Sequence, residues 1–147
     1  MKNYLKIAGI ICLIFAINSC DSSDESIPEK TKADMLIKYP NAGNIRWEEK
    51  SADLFTVKFT ESQEGEFMAV YNKAGDWIET KHFLAIELVP TEVKTYADST
   101  YLGSQLESLS LLTKPRFEGY EMEVRHDGNN IDLVFDLSGK FIGSEIR

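Results

Sequence analysis

Ala69-Val70-Tyr71-Asn72-Lys73-Ala74-Gly75-Asp76-Trp77-Ile78 lies over Leu133-Val134-Phe135-Asp136-Leu137-Ser138-Gly139-Lys140-Phe141-Ile142 when the chain is aligned on itself. Val, Gly and Ile are kept, and aromatic residues stand over aromatic residues, Tyr71 over Phe135 and Trp77 over Phe141. Each stretch reads as a strand, a tight turn and the start of a further strand. Upstream, Phe55, Val57 and Phe59 alternate with Thr56, Lys58 and Thr60, and Tyr120, Met122 and Val124 alternate with Glu121 and Glu123. Both patterns have the period of a half-buried strand. This earlier pair is offset by one residue more, the size of one hairpin insertion.

Further out, each set of strands is preceded by a helix signal. Ser26-Ile27-Pro28-Glu29 has capping-box spacing with Pro in the first turn, Ala33, Leu36 and Ile37 share a helical face, and Tyr39-Pro40 stops the helix. The second helix follows Pro90, with Val93, Tyr96, Ala97, Thr100 and Tyr101 on one face and Gly103 at its end. Ile45-Trp47-Glu49, Phe67–Tyr71 and Trp77–Thr80 supply the other strands of the first set. Gln105–Leu112, Ile131–Phe135 and Phe141-Ile142 supply those of the second. The expected fold is α+β, a tandem repeat of one helix plus a four-stranded antiparallel sheet, with repeat one at about 31–81 and repeat two at about 90–147. An internal duplication accounts for the order and the matching residues. The expected core is Phe55, Val57, Phe59, Tyr120, Met122 and Val124, lying under Leu36, Ile37, Val93 and Tyr96.

Lys38-Tyr39-Pro40-Asn41-Ala42, Trp47 and Phe55-Thr56-Val57-Lys58-Phe59 resemble the start of the PepSY-like, β-lactamase-inhibitor-like lipoprotein family. Val70-Tyr71-Asn72-Lys73-Ala74-Gly75-Asp76-Trp77 and Leu88-Val89-Pro90-Thr91-Glu92-Val93 continue the likeness. Tyr120-Glu121-Met122-Glu123-Val124 and Val134-Phe135-Asp136-Leu137-Ser138-Gly139 repeat its strand motifs. The resemblance covers roughly residues 31–147 and implies a tandem α+β fold, each sheet covered on one face by its helix. In the second copy Tyr101-Leu102-Gly103 replaces Tyr-Pro and no second Trp follows, a departure that bears on the first strand of that copy. The family's name reflects a likeness to a secreted inhibitor of β-lactamase that docks by its sheet. No inhibitory-loop motif carries over, and the matched positions are core and turn residues that speak to fold.

The N-terminus reads as an address. Lys2 and Lys6 precede the apolar run Ile7–Ile17, which is too short for a bilayer core that needs ~20 helical residues and has the proportions of a signal peptide. Ile17-Asn18-Ser19-Cys20 resembles a bacterial lipobox, which implies cleavage before Cys20 and lipidation of its thiol. Residues 1–19 are therefore read as a lipoprotein signal peptide and 20–30 as an acidic tether, opening with Asp21-Ser22-Ser23-Asp24-Glu25. Cys12 leaves with the signal and Cys20 carries lipid, so no disulfide is expected in the folded part. The expected localisation is the bacterial cell envelope, lipid-anchored at the outer membrane, periplasmic or surface-exposed.

The chain has 147 residues, 16 Lys+Arg against 24 Asp+Glu and a net charge of −8, which suits one domain and excludes the basic field that nucleic acid requires. Loss of Lys2 and Lys6 makes the mature chain more acidic still, so contact with the membrane is expected through the N-terminal lipid only.

Catalytic chemistry finds little support. His82, read in the linker before the second helix, and His126, beside a hairpin turn, have no ligand-spaced partners, and no Gly-x-Ser-x-Gly or phosphate-binding glycine loop occurs. Asp127-Gly128-Asn129-Asn130 is a type I′ turn signal rather than a calcium loop. Glu118, Glu121, Glu123 and Asp132 read as a solvated strand face rather than a glycosidase pair. No enzyme activity, cofactor or metal is expected, and the chain is read as a monomer.

Two functions stay open. One is an envelope module that binds a protein or peptide, or inhibits it, through the open sheet surface, with Trp47 or Trp77 as the anchor. The other is a structural or accessory lipoprotein without a dedicated ligand groove.

Overall fold

The computed structural model describes residues 26–62 and 64–147. Helix α1 (Glu29–Lys38) leads into strands β1 (Ala42–Ser51), β2 (Leu54–Glu61), β3 (Gly65–Asn72) and β4 (Trp77–Leu84). A short 3-10 turn (Ile86–Leu88) follows, then helix α2 (Thr91–Thr100) and strands β5 (Gln105–Lys114), β6 (Phe117–His126), β7 (Asn129–Asp136) and β8 (Phe141–Ile146). The strand order along the chain is thus the expected one, and β5 forms despite the missing Tyr-Pro.

The assembly of those strands differs from two separate sheets. All eight form one antiparallel sheet in chain order, joined at β4 and β5, where Thr80 pairs with Thr113, Lys81 with Leu112 and Phe83 with Ser110. Joining removes two exposed edges, each a row of unpaired N–H and C=O groups. It also carries β4 past Thr80 to Leu84, so His82 is a strand residue and not a linker residue. Its ring stacks on Phe67 at 4.2 Å, and its Nε2 lies 2.5 Å from the Glu64 carbonyl oxygen.

Both helices lie on one face of the sheet, each over its own apolar cluster. Met35 and Ile27 cover Trp47, Phe55, Val57, Phe59, Phe67 and Tyr71, all buried. Val93 and Ala97 cover Leu109, Met122, Val124, Ile131, Leu133 and Phe135. Tyr96 packs over the edge of Phe135 and stacks on Phe141 at 4.4 Å, and Tyr120 is partly buried against the same cluster.

The face of α1 is the correction here. Leu36 is 47% exposed and Ile37 78%, whereas Thr31 and Met35 are buried. The buried stripe runs Ile27, Thr31, Met35 and Tyr39 at spacings of four, and its inclusion of a threonine hid it behind the more apolar stripe on the other side. The helix also starts later than the capping-box spacing suggests, with Pro28 in the N-cap position.

The two matching stretches fold as two copies of one turn. In the first, Asn72 N–H donates to the Asp76 carbonyl (3.0 Å) and Gly75 N–H to the Asn72 carbonyl (2.9 Å). In the second, Asp136 and Lys140 bond at 2.9 Å and Gly139 donates to Asp136 at 2.9 Å. Gly75 and Gly139 have φ of 86° and 82°. The Asp136 carboxylate also accepts from Ser138 and from the Lys140 N–H, which holds its pKa below the usual carboxylate range.

Both glycines press against the first turn of a helix. A Cβ at Gly75 would meet Thr31 Oγ1 at 2.5 Å, and one at Gly139 would meet Glu92 Cβ at 2.7 Å. Gly139→Ala is therefore expected to cost more than about 2 kcal/mol, from positive φ and overpacking together. Urea unfolding of the variant checks it, and an unchanged midpoint would mean the helix start gives way freely.

Candidate binding face

The alternation that buries one face leaves the other to be read off the strand register. Arg46 and Glu48 in β1 stand opposite Lys58 and Thr56 in β2, and Thr56 and Lys58 pair in turn with Val70 and Met68 in β3. Val70 and Met68 pair with Glu79 and Lys81 of β4. Across the junction the same face continues through Ser110 and Leu112 of β5, Glu121 and Glu123 of β6, and Val134 and Asp132 of β7. Neither helix covers it.

Its two halves differ chemically. The charges of the second half are paired, in part with residues of β4 across the junction. Lys81 and Glu121 form an ion pair across β5, each side chain 11% exposed. Ser110, 2% exposed, is the small residue that β5 places beside Glu121, and Gly119 lies beyond Leu112. The Phe117 ring covers that glycine: a Cβ on Gly119 would meet its tip at 2.8 Å and the Phe135 carbonyl oxygen at 2.1 Å. Lys114 bonds Glu79 at 3.0 Å. Arg147, at the end of the chain, grips Asp132 with two hydrogen bonds, Nε to Oδ2 at 2.7 Å and Nη2 to Oδ1 at 2.5 Å. It also reaches Glu123 at 3.2 Å.

Burial pushes the Glu121 carboxyl above its ordinary value, against the pull of Lys81, and the nearby Asp132 and Glu79 push it the same way. The Asp132 hydrogen bond raises the Arg147 guanidinium further.

The first half is less closed. Arg46 and Lys58 stand directly opposite each other, a like-charge pair that costs energy on an unoccupied strand face. They line a groove of about 300 Å³ together with Asn44, Thr60, Glu66 and Phe83, where β2 and β3 also carry Phe59 and Phe67. Lys58 makes a long, solvent-exposed ion pair with Glu48 at 3.8 Å, the weak kind that a partner can displace. A cationic pair beside an aromatic ring is suited to hold a carboxylate next to an apolar side chain.

The two tryptophans lie elsewhere. Trp47, 8% exposed, is in the first cluster with its ring 5.7 Å from Tyr71. Its register partner is Val57, so it points to the helices and is no exposed anchor. Trp77 is partly buried at the edge of the same cluster. Its indole N–H donates to Thr80 Oγ1 (2.9 Å), and the Lys38 ammonium sits 3.1 Å above its ring. Both were legible as aromatic residues in strands, but the bulge between Gly43 and Arg46 sets which way β1 faces, and nothing in the spacing announces it.

The groove that the geometry does offer, with Arg46, Lys58 and Phe83, drew no attention in the sequence. Its only advance signal was Thr-Lys-Thr alternation in β2, which reads as ordinary solvated surface. Cys20 lies outside the described residues.

The remaining chemistry stays quiet. Among the described residues no three His, Cys, Asp or Glu side chains are placed to hold a metal ion. Asp127 and Gly128 have φ of 50° and 81°, the two positive values of a type I′ turn, and join β6 to β7 as a hairpin. His126 lies against the Tyr101 ring and 3.4 Å from Asp127. Glu121, Glu123 and Asp132 do share a face, but it is not the solvated one expected: Glu121 and Asp132 are buried, and all three are bound up in the ion pairs above.

The fold has solved counterparts. A DUF2874 family protein from Bacteroides uniformis ATCC 8492 matches at 17% identity and a TM-score of 0.66, over 81% of this chain and 88% of that one. A BLIP-like protein from Bacteroides fragilis NCTC 9343 matches at 24% identity and a TM-score of 0.63, over 81% and 86%. A structure described as periplasmic, from Bacteroides eggerthii DSM 20697, matches at 14% identity and a TM-score of 0.65, over 82% and 88%. At these identities the likeness is one of fold. No curated protein matches the sequence. The family model described as β-lactamase-inhibitor-like, PepSY-like matches residues 53–143, from the start of β2 into β8. On that match, and on the fold that agrees with it, the chain belongs to the PepSY-like, β-lactamase-inhibitor-like family.

Proposed function

We propose that this chain is an envelope lipoprotein that binds a protein or peptide without catalysis, through the open face of its sheet. The observation that carries the reading is the groove at Arg46, Lys58 and Phe83, a concave place on the face that neither helix covers. The platform is continuous across eight hydrogen-bonded strands, so its backbone has little entropy left to lose on binding. The family name adds a protein inhibitor as the kind of relative, and the periplasmic description of one solved neighbour agrees with an envelope address. We read the two helix-plus-four-strand units as a tandem repeat, of which the first keeps the groove and the second has closed its face with ion pairs.

The partner is a protein segment with an acidic side chain or terminal carboxylate beside an apolar one. The carboxylate meets Arg46 and Lys58 and the apolar group meets Phe83. The net charge of −8 favours neutral or basic surface around that contact. A single-chain platform tethered by lipid gains local concentration, so modest affinity suffices.

Capture from detergent-solubilised envelope tests the reading. Lys58→Glu with Arg46→Glu is expected to abolish capture of a partner that wild type retains, at unchanged Tm. Leu36→Glu with Ile37→Glu, on the outer side of α1, is expected to leave it intact. Loss by the helix variant and not by the groove variant would refute the reading.

The accessory alternative keeps one observation in its favour. The second half of the open face presents ion-paired Lys, Arg, Glu and Asp with little apolar surface, as a domain with no ligand there would. The anchor is tested separately. Cys20→Ser is expected to move the protein out of the membrane fraction or leave its signal uncleaved, as fractionation and mass measurement would show. Unchanged anchoring and mass would remove lipid from the account.

A further inference from the structure

Outside the binding face, the two halves of the core differ at matching places. Helix α1 buries its third and seventh residues, Thr31 and Met35, and α2 buries its third and seventh, Val93 and Ala97. In the first half Phe59 pairs with Phe67 across β2 and β3 and stacks on it at 5.3 Å, and Tyr39 lies 4.7 Å from Phe59. In the second half the matching strand pair is Val124 with Ile131. Met, Phe and Phe thus face Ala, Val and Ile.

The smaller set leaves space. A cavity of about 270 Å³ lies beside α2, walled by Ile86, Val89, Ala97, Leu106, Met122 and Val124. Natural cores leave few voids larger than a water molecule, and an apolar void of ~150 Å³ is already enough to take up benzene.

The mouth has a different character. Lys94, Asp98 and Ser104 border it, and Lys94 bonds Asp98 at 2.7 Å. One cation and one anion give it no net charge, with donors and an acceptor both on offer. Apolar surface continues outward from the wall: Ile86 is 46% exposed, and Leu88, next to Val89 in the chain, is 63% exposed.

We infer that the cavity beside α2 is a binding site for a linear hydrocarbon chain that ends in an uncharged, hydroxyl-bearing head. The chain replaces the side-chain volume that Met35, Phe59 and Phe67 supply in the first half. The head donates to Asp98 and accepts from Lys94 or Ser104, which a carboxylate cannot do because it has no proton to donate. This site is separate from the sheet face and does not depend on the function proposed there.

Methionine methyl resonances of the full-length chain, labelled with carbon-13, read the site directly. Met122 stands in the wall, and Met35, buried in the first core, serves as control. Octan-1-ol is the probe, with octanoate as the second arm. The Met122 signal is expected to shift saturably with octan-1-ol while Met35 stays in place, and octanoate is expected to bind more weakly. Ala97→Met, which puts in α2 the residue α1 already carries, is expected to weaken binding at least tenfold and to raise Tm by about 2–4 °C. An unmoved Met122 signal, or a shift that survives Ala97→Met, would overturn the site. A lowered Tm in Ala97→Met would show there is no room to fill, and tighter binding of octanoate would overturn the uncharged head.

Discussion

Phe59→Ala is expected to lower the unfolding free energy by about 3–5 kcal/mol. The ring is 2% exposed and sits between Tyr39 at 4.7 Å and Phe67 at 5.3 Å, with His82 stacked beyond Phe67. Removing it deletes the middle of a four-ring array that ties the end of α1 to strands β2, β3 and β4. The cavity cannot close by a side-chain shift, because each neighbour is fixed by its own stacking or by a strand ladder. Tyr39 is further held by its hydroxyl, 2.7 Å from Thr80 Oγ1. The same change at Val124, the matching position of the second half, removes less side-chain volume. It is expected to cost clearly less. Urea unfolding of both variants checks the pair, and a Phe59→Ala cost below about 1 kcal/mol would mean the ring is not packed as described.

Lys81→Met is expected to cost about 3 kcal/mol at neutral pH, and the cost should depend on pH. The variant leaves the Glu121 carboxylate mostly buried, with Asp132 and Glu79 near and no cation on it. In the wild type burial already raises that carboxyl above its ordinary value near 4.5. Between the ordinary value and the raised one, the native state keeps a proton that the unfolded chain has released. Stability from this group is therefore greatest at the acid end of that window and falls as pH rises through the raised value. Without Lys81 the value rises further, so the fall should steepen and extend towards neutral pH. Unfolding measured from pH 5 to 8 checks it. The double change Lys81→Met with Glu121→Leu is expected to recover most of the loss, since an apolar pair carries no stranded charge. A single variant as stable as wild type, flat with pH, would mean the pair is solvated.

Much of the fold was legible because the strands carry a clean alternation and the turns carry glycine at positions where φ is positive. Gly75 and Gly139 mark the same turn twice, and Asp127-Gly128 marks a hairpin, as the backbone angles bear out. What spacing could not show depends on contacts between distant residues. Lys81-His82, just past the strand that reads as Trp77–Thr80, is polar and reads as the start of a linker, yet it lies in the β4–β5 junction that makes one sheet of two. Its polarity is explained by Lys81, which is buried by pairing with Glu121 forty residues away. The face of α1 was hidden for a different reason. Ala33, Leu36 and Ile37 satisfy the helical period as well as Ile27, Thr31 and Met35 do, and only contact with Gly75 and β2 decides between them. The candidate site was least visible, because a strand face bearing Thr, Lys and Arg looks the same in sequence whether or not a groove lies on it.

The central claim, that a partner is held on the open sheet face, is tested most directly by placing a photo-cross-linker at single positions of the chain in the cell envelope. Benzoylphenylalanine replaces Met68 or Phe83 on that face, or Ile37 on the outer side of α1. Cross-links from Met68 and Phe83 to one and the same protein, with none from Ile37, are the predicted result. A cross-linked partner at Ile37, with none at Met68 or Phe83, would contradict it.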